Sequence, residues 1–495
     1  MRSRRVLAMV SAFAIVLAGA ALLYRRAAPE ARVTAHTARS LVVLPMENRT
    51  GDSAQAYLAT GLADNIAKRL EGIGGIRIRS GARSEWPTAT RHDLEMVANK
   101  LGSTYLLKTV LTRSGDSLDL SAYVVDMTST AEKAIARRRF TTSELRDVEG
   151  DVAARIAAAI FGAALPADPN PAARPPNPES YRLTLEGWHW FSTLGQKARA
   201  RDLFQQAVAL DPLNARAWSG LSSAWYSMGT GGQIPLEVGH QQAEAAALHA
   251  LALDSSQGSA WANLGFMRAI QYRSLSTGLA LIQKGIERDP GNAEVFLLKA
   301  ALYRSAWRWN DSRDALRFAR QLDPISPNYA RLDAQNQMCA GQNGAALGVF
   351  DTLLARLPTD SLALRGRVRA LARLGRFDDA IRAWRESSGL RPGDPLAAKL
   401  LVARGESGYW DAMHLEGRQR LSRLRERAGK GWVSPAQLVF AHFAAGDMNE
   451  GYRQMEGLIK SGQSFDRLPC TPELDEARGS PRLAAIQARV GHLPP

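Results

Sequence analysis

Apolar positions follow two different periods along this chain. Between residues 40 and 164, short apolar runs alternate with one-sided helical stripes. Leu41, Val42, Val43 and Leu44 form a run of β-branched character ended by Pro45, which predicts a buried strand. Leu58, Leu62, Ile66 and Leu70 recur every four residues and predict one face of a helix. Residues 76–79 read as a second strand and 92–101 as a second helix. Residues 105–112 and 118–126 flank Ser114-Gly115-Asp116-Ser117, a hairpin signal. Within it Leu118, Leu120, Ala122 and Val124 alternate with Asp119, Ser121 and Tyr123, so one face of the hairpin is expected to be buried. A third strand over 133–140 and a closing helix through Val148, Val152, Ile156 and Ile160 complete a small α/β layer.

From residue 179 onward the period is helical and the punctuation is regular. Pro290, Pro324, Pro358 and Pro392 follow one another at intervals of 34 residues. Proline has no N–H and its ring clashes with the preceding turn, so each one closes a helix. Ala200, Phe204, Ala207, Leu210 and Asp211 precede Pro212. Trp261, Leu264 and Gly265 open a unit closed by Asp289-Pro290, and Ala346 and Phe350 precede Pro358 as Ala380 and Trp384 precede Pro392. This pattern resembles the tetratricopeptide repeat, a pair of helices repeated every 34 residues. One unit is longer, with an insertion around Gly229, Gly231, Gly232 and Pro235, and it ends on Ser255. Unrelated amphipathic helices would not hold phase over so many turns, so a helical solenoid is expected over 179–495, with a capping segment at its end.

The amino terminus adds a membrane signal. Val6 to Tyr24 is an uncharged apolar stretch flanked by Arg2, Arg4 and Arg5 before it and Arg25 and Arg26 after it. That length suits a single spanning helix, and the leading arginines favour a cytoplasmic tip at 1–5. A cleaved signal peptide is the competing reading, since Ala18-Gly19-Ala20 has the form of a cleavage site. Both readings export everything from the linker at 25–39 onward. The uncleaved anchor is preferred, because apolar residues continue beyond that site. Between the layer at 40–164 and the solenoid, the segment 165–178 carries Pro166, Pro169, Pro171, Pro175, Pro176 and Pro178. Such density predicts an extended, semi-rigid spacer that lets the two units reorient only partly.

The strings Leu41-Val42-Val43-Leu44-Pro45-Met46-Glu47-Asn48, Gly51-Asp52, Tyr57 to Leu62 and Leu101 to Leu107 together resemble the TolB-like amino-terminal domain found joined to tetratricopeptide repeats in bacterial proteins. Met46 and Leu58 stand where that family carries aromatics. Residues 465–468 and 480–483 resemble the terminal segment of the same proteins. The resemblance implies a multidomain chain: one transmembrane helix, a small α/β domain and an all-α solenoid. Such proteins often carry a cytoplasmic output domain ahead of the membrane segment; with only residues 1–5 there, none is expected on this reading.

Charge and candidate chemistry change this picture little. Lys and Arg number 63 against 48 Asp and Glu, a balance of +15, but the arginines are dispersed along helices and no recognition helix, RNP motif or zinc finger appears. No nucleic-acid partner is expected. Cys339 and Cys470 are the only cysteines. A disulfide between them is possible on this reading, and two buried free thiols are preferred. The eight histidines show no metal-ligand spacing. Gly72 to Gly75 and Gly229 to Gly232 lack the Lys-Ser/Thr of a phosphate loop and read as turns. Trp188-His189-Trp190-Phe191 reads as the core of the first repeat. No cofactor, metal or catalytic constellation is expected.

One feature stands out. Register places Arg331, Arg365 and Lys399 at equivalent first-helix positions of three successive repeats, with Arg369 and Arg373 on the same face as Arg365. In the repeat family such positions face the concave groove, so these five cations are candidates to grip an acidic protein or peptide partner. Arg365 and Arg369 are expected to be exposed. A solvated arginine face is the competing reading. The function expected is a non-enzymatic, membrane-anchored periplasmic scaffold. The alternative is a sensor whose α/β domain binds a small ligand and signals through a separate cytoplasmic partner.

Overall fold

The computed structural model describes residues 40–490 apart from 53–54, 72, 74–76, 81–102, 130, 166–176, 193–195, 324–325, 388–392, 462–467 and 469–470. The expected membrane segment at 6–24, the helix at 92–101, Cys470 and most of the proline-rich spacer therefore lie outside the described residues. Among the described residues, no helix is long and apolar enough to cross a membrane.

The sheet holds β1 (Ser40–Val43), β2 (Glu47–Arg49), β3 (Arg77–Ser80), β4 (Tyr105–Ser114), β5 (Ser117–Asp126) and β6 (Glu132–Phe140). Its order is β3-β1-β4-β5-β6, with β2 beside β4. β1 is parallel to β3 and β4 and all four of its residues are buried, which explains its uninterrupted apolar run. β4, β5 and β6 form the antiparallel meander. Ser114 pairs with Ser117 across a two-residue turn in which Gly115 has φ 62°, a value that favours glycine. Two helices, α1 (Ala56–Glu71) and α2 (Leu145–Ile156), share one core with the sheet. Leu58, Leu62, Ile66, Val148 and Val152 are all fully buried in it.

The solenoid begins with six helix pairs: α3 (Pro178–Ser192) and α4 (Lys197–Leu210), α5 (Ala215–Thr230) and α6 (Leu236–Leu253), α7 (Gly258–Tyr272) and α8 (Leu275–Arg288), α9 (Ala293–Ser305) and α10 (Trp309–Leu322), α11 (Pro327–Cys339) and α12 (Asn343–Arg356), α13 (Ser361–Arg373) and α14 (Phe377–Ser387). Then come α15 (Pro395–Val402), the long α16 (Gly405–Ala428), α17 (Pro435–Ala444), α18 (Met448–Lys460) and α19 (Pro481–Val490). Pro212, Pro290 and Pro358 each stand two residues past the end of a second helix. The repeated alanines and aromatics are the helix contacts. Fully buried Phe204 of α4 lies where a Cβ on Gly187 of α3 or Gly220 of α5 would collide with its ring. Asn214 caps α5 by accepting from the Ala217 amide at 3.1 Å, and it donates to Ser180 Oγ at 2.9 Å and Thr184 Oγ1 at 3.0 Å, locking one repeat to the next.

Two expectations are corrected. Leu185 of α3 is buried in the core of the sheet layer, and Gly61 of α1 packs against it, so the first repeat and the α/β layer share a core and are not merely joined by a spacer. Cys339 is disulfide-bonded and no free cysteine occurs among the described residues, against the preference for free thiols. Cys470 is the one other cysteine in the sequence.

Candidate functional site

The candidate cations lie on the first helices of successive repeats, and the structure separates them into three situations. Arg331 of α11 donates from Nη1 to Asp360 Oδ1 at 3.1 Å. The same Asp360 oxygen accepts from the amides of Leu362 and Ala363 as the cap of α13. With 18% of its side chain exposed, Arg331 ties one repeat to the next. Lys399 of α15 donates to Asp411 Oδ2 of α16 at 2.7 Å, and that hydrogen bond holds the Asp411 carboxyl below the usual carboxylate range. Arg365 is exposed on α13.

Arg369 and Arg373 are in a different setting, because the chain's own end folds over them. Arg373 grips Asp475 with two bonds, Nε to Oδ2 at 3.0 Å and Nη2 to Oδ1 at 2.6 Å, while Nη1 donates to the Met338 carbonyl at 2.9 Å. Planar guanidinium and carboxylate match in this fork geometry. Arg369 Nε stands 3.9 Å from Asp475 Oδ2. Arg478 donates to Asp475 Oδ1 at 2.7 Å. Burial alone would raise the Asp475 pKa, but the Arg373 hydrogen bonds and the charges of Arg373, Arg369 and Arg478 outweigh it and hold the carboxyl below its usual range. Burial pushes the Arg369 guanidinium down. The expectation that Arg369 is exposed is therefore corrected: its side chain is 23% exposed, and that of Arg373 only 8%.

Two neighbouring acids extend the contact. Glu473 accepts from Arg420 Nη1 at 2.7 Å, and Glu476 lies 2.7 Å from the His414 ring, both partners being on α16. Sequence reasoning found the arginines and missed these acids. The signal available was Glu473-Leu474-Asp475-Glu476, an acidic cluster in a basic chain.

A cavity of about 500 Å³ adjoins this segment, with Thr471, Pro472 and Glu473 in its lining beside Phe266, Ile270, Leu332 and Phe440. Its rim includes the Gly229–Gly232 segment, where the Gln437 amide donates to the carbonyls of Gly231 at 3.3 Å and Gly232 at 3.4 Å. Gly229 and Thr230 close α5, and the turn proper is Gly231 and Gly232, the latter at φ 67°. The Trp188 ring packs edge-on against Phe191 at 5.5 Å and Phe204 at 5.4 Å inside the first repeat, as core.

Comparison with known proteins agrees with the helical part. The family model described as tetratricopeptide repeat matches residues 191–230 and 334–395, and the chain carries these repeats. A thermophilic tetratricopeptide protein of Thermus thermophilus is 18% identical, the likeness covering 39% of this chain and 98% of that one with a TM-score of 0.33. The type IV pilus biogenesis factor PilW is also 18% identical, over 45% of this chain and 98% of its own, with a TM-score of 0.35. A protein of Rhizobium meliloti (strain 1021) named as an adenylate cyclase is 28% identical over 90 residues. That match takes in 18% of this chain and 15% of the relative's length.

Proposed function

We propose that this chain is a non-enzymatic scaffold, anchored in the cytoplasmic membrane by residues 6–24 with its bulk in the periplasm. Its amino-terminal α/β layer is TolB-like, and its repeats bind a protein or peptide segment on their concave side. The observation that carries the binding role is Arg373 of α13, a first-helix guanidinium already engaged in a two-bond grip on a carboxylate of a non-helical stretch of chain. The disulfide at Cys339 supports export, since such bonds persist in oxidising compartments. The uncharged stretch at 6–24 supports the anchor.

Two experiments test this reading. A reporter active only outside the cytoplasm, fused after Pro495, is expected to be active, with the protein retained on salt-washed membranes. Soluble periplasmic recovery of a chain starting near Ala21 would replace the anchor with a cleaved leader. Affinity capture from detergent-solubilised membranes is expected to yield a co-purifying protein whose recovery falls when Arg365, on the open part of the same helix face, is changed to glutamate. Recovery unchanged by that substitution would move the partner off the concave side.

A further inference from the structure

We infer that the Arg369–Arg373 site is an acidic-peptide site which the chain fills with its own residues Glu473 to Glu476, so that a partner of the same chemistry binds there only by displacing them. The inference rests on the reading of the concave side as a peptide-binding surface, and it names both the partner chemistry and the competitor.

The geometry is that of a bound peptide. Pro472 to Leu474 form a single short turn, and Asp475 and Glu476 just beyond it meet Arg373 and His414 side chain to side chain. Each carboxylate of the stretch meets its own base: Glu473 meets Arg420, Asp475 meets Arg373, and Glu476 meets His414. Between the first two, Leu474 turns the other way and is fully buried in a cluster with Val439, Phe443 and Met455 of α17 and α18. The site therefore reads acid, leucine, acid, acid in order. Asp475 reaches Arg373 across 102 residues of chain, so this contact is not a product of local folding.

Charge burial explains why such an occupant can exchange. Removing an arginine and a carboxylate from water offsets most of their attraction, and the net hold of the pair is modest as long as each charge keeps a partner. Exchange of one acidic stretch for another keeps every cation paired. What protects the internal segment is tethering, which presents it at an effective concentration on the order of millimolar. A free peptide of equal chemistry is thus outcompeted in the unchanged chain and binds once the internal carboxylates are neutralised.

The test uses the purified full chain and a fluorescent synthetic peptide with the sequence of residues 471–478. A variant carrying Glu473→Gln, Asp475→Asn and Glu476→Gln is expected to bind this peptide at least tenfold more tightly than the unchanged chain does. Adding Arg373→Gln is expected to abolish the gain, as is a peptide whose aspartate is replaced by asparagine. Equal binding to the unchanged and triple-variant chains, or no binding to a triple variant whose circular dichroism matches the parent, overturns the inference. If the triple variant does not fold, hydrogen exchange of the unchanged chain decides. Excess peptide at millimolar concentration is expected to speed exchange of the amides of 471–478, and unaltered exchange overturns the inference. A captured partner whose binding ignores Arg373→Gln leaves the scaffold reading standing and removes this one.

Discussion

Tyr181 donates its phenolic hydrogen to Glu149 Oε2 at 2.6 Å, tying the first helix of the solenoid to the last helix of the α/β layer. The other carboxylate oxygen accepts from Asn65 Nδ2 of α1 at 2.8 Å. Arg216 of α5 donates to Asn65 Oδ1 and lies 3.4 Å from Asp64. A polar joint built by α1, α2, α3 and α5 thus sits beside the shared apolar contact of Gly61 and Leu185. Its cost and its specificity both come from burying a carboxyl group that has hydrogen-bond donors at each oxygen.

The joint makes stability depend on pH. Burial pushes the Glu149 carboxyl up to about 7, against the pull of the Tyr181 and Asn65 hydrogen bonds. The folded pKa lies above the unfolded one, so between pH 4.5 and 7 the folded chain holds a proton that the unfolded chain has released. The contribution is fully present below pH 4.5 and is lost as pH rises through 7, by roughly 3 kcal/mol for a shift of this size. Glu149→Gln is expected to flatten that slope and to match or exceed parental stability at pH 8. Urea midpoints of both chains at pH 5 and pH 8 check this, and equal slopes in the two would remove Glu149 as the cause.

The shared core alters what proteolysis will yield. A protease is expected to cut within the proline-rich segment 166–176. The two pieces are expected to stay together on native size exclusion and to part only in denaturant. Leu185→Ala, which empties a buried site packed against α1, is expected to cost about 2 to 4 kcal/mol and to let the nicked pieces separate. Fragments of the unchanged chain that separate without denaturant would mean the two units do not share a core in solution.

What the sequence made legible was local. Pro290 and Pro358 could be read as helix ends because a missing N–H acts within one turn, and Gly115 as a turn because φ 62° is cheap only for glycine. The Arg365, Arg369 and Arg373 face was legible for the same reason, as a matter of helical spacing. What covers that face was not, since Asp475 arrives from 102 residues away and no period links the two. Glu149 was hidden likewise: on a helix marked by Val148 and Val152 it reads as a solvent-facing acid, and only its neighbours Tyr181 and Asn65 from other elements explain its burial.

The disulfide at Cys339 carries its own test. Cys339 ends α11, next to the Met338 carbonyl that receives Arg373, so the cross-link sits beside the covered groove. The sequence offers one partner, 131 residues on, and closing a loop of that size removes entropy from the unfolded chain worth roughly 4 to 5 kcal/mol. Cys339→Ser is expected to lower the denaturation midpoint by a corresponding amount, and the unreduced, denatured parent is expected to show no reactive thiol. Two titratable thiols in protein purified without reductant would restore the free-thiol reading.

Two glycines predict opposite outcomes for one and the same substitution. Gly366 on α13 faces the fully buried ring of Phe350, and a Cβ there would collide with it. The aromatic and the glycine are thus a fitted pair, as Phe204 and Gly220 are in the first repeats. Gly366→Ala is expected to destabilise by about 1 to 3 kcal/mol, because a packed core accommodates an added methyl only by moving the ring or the helix. Gly348 lies within α12 with open space where its Cβ would stand. There alanine reduces the freedom of the unfolded chain and meets nothing, so Gly348→Ala is expected to stabilise by about 0.5 to 1 kcal/mol. Thermal or urea midpoints of the two variants moving the same way would mean that the aromatic position of the repeat does not select the glycine facing it.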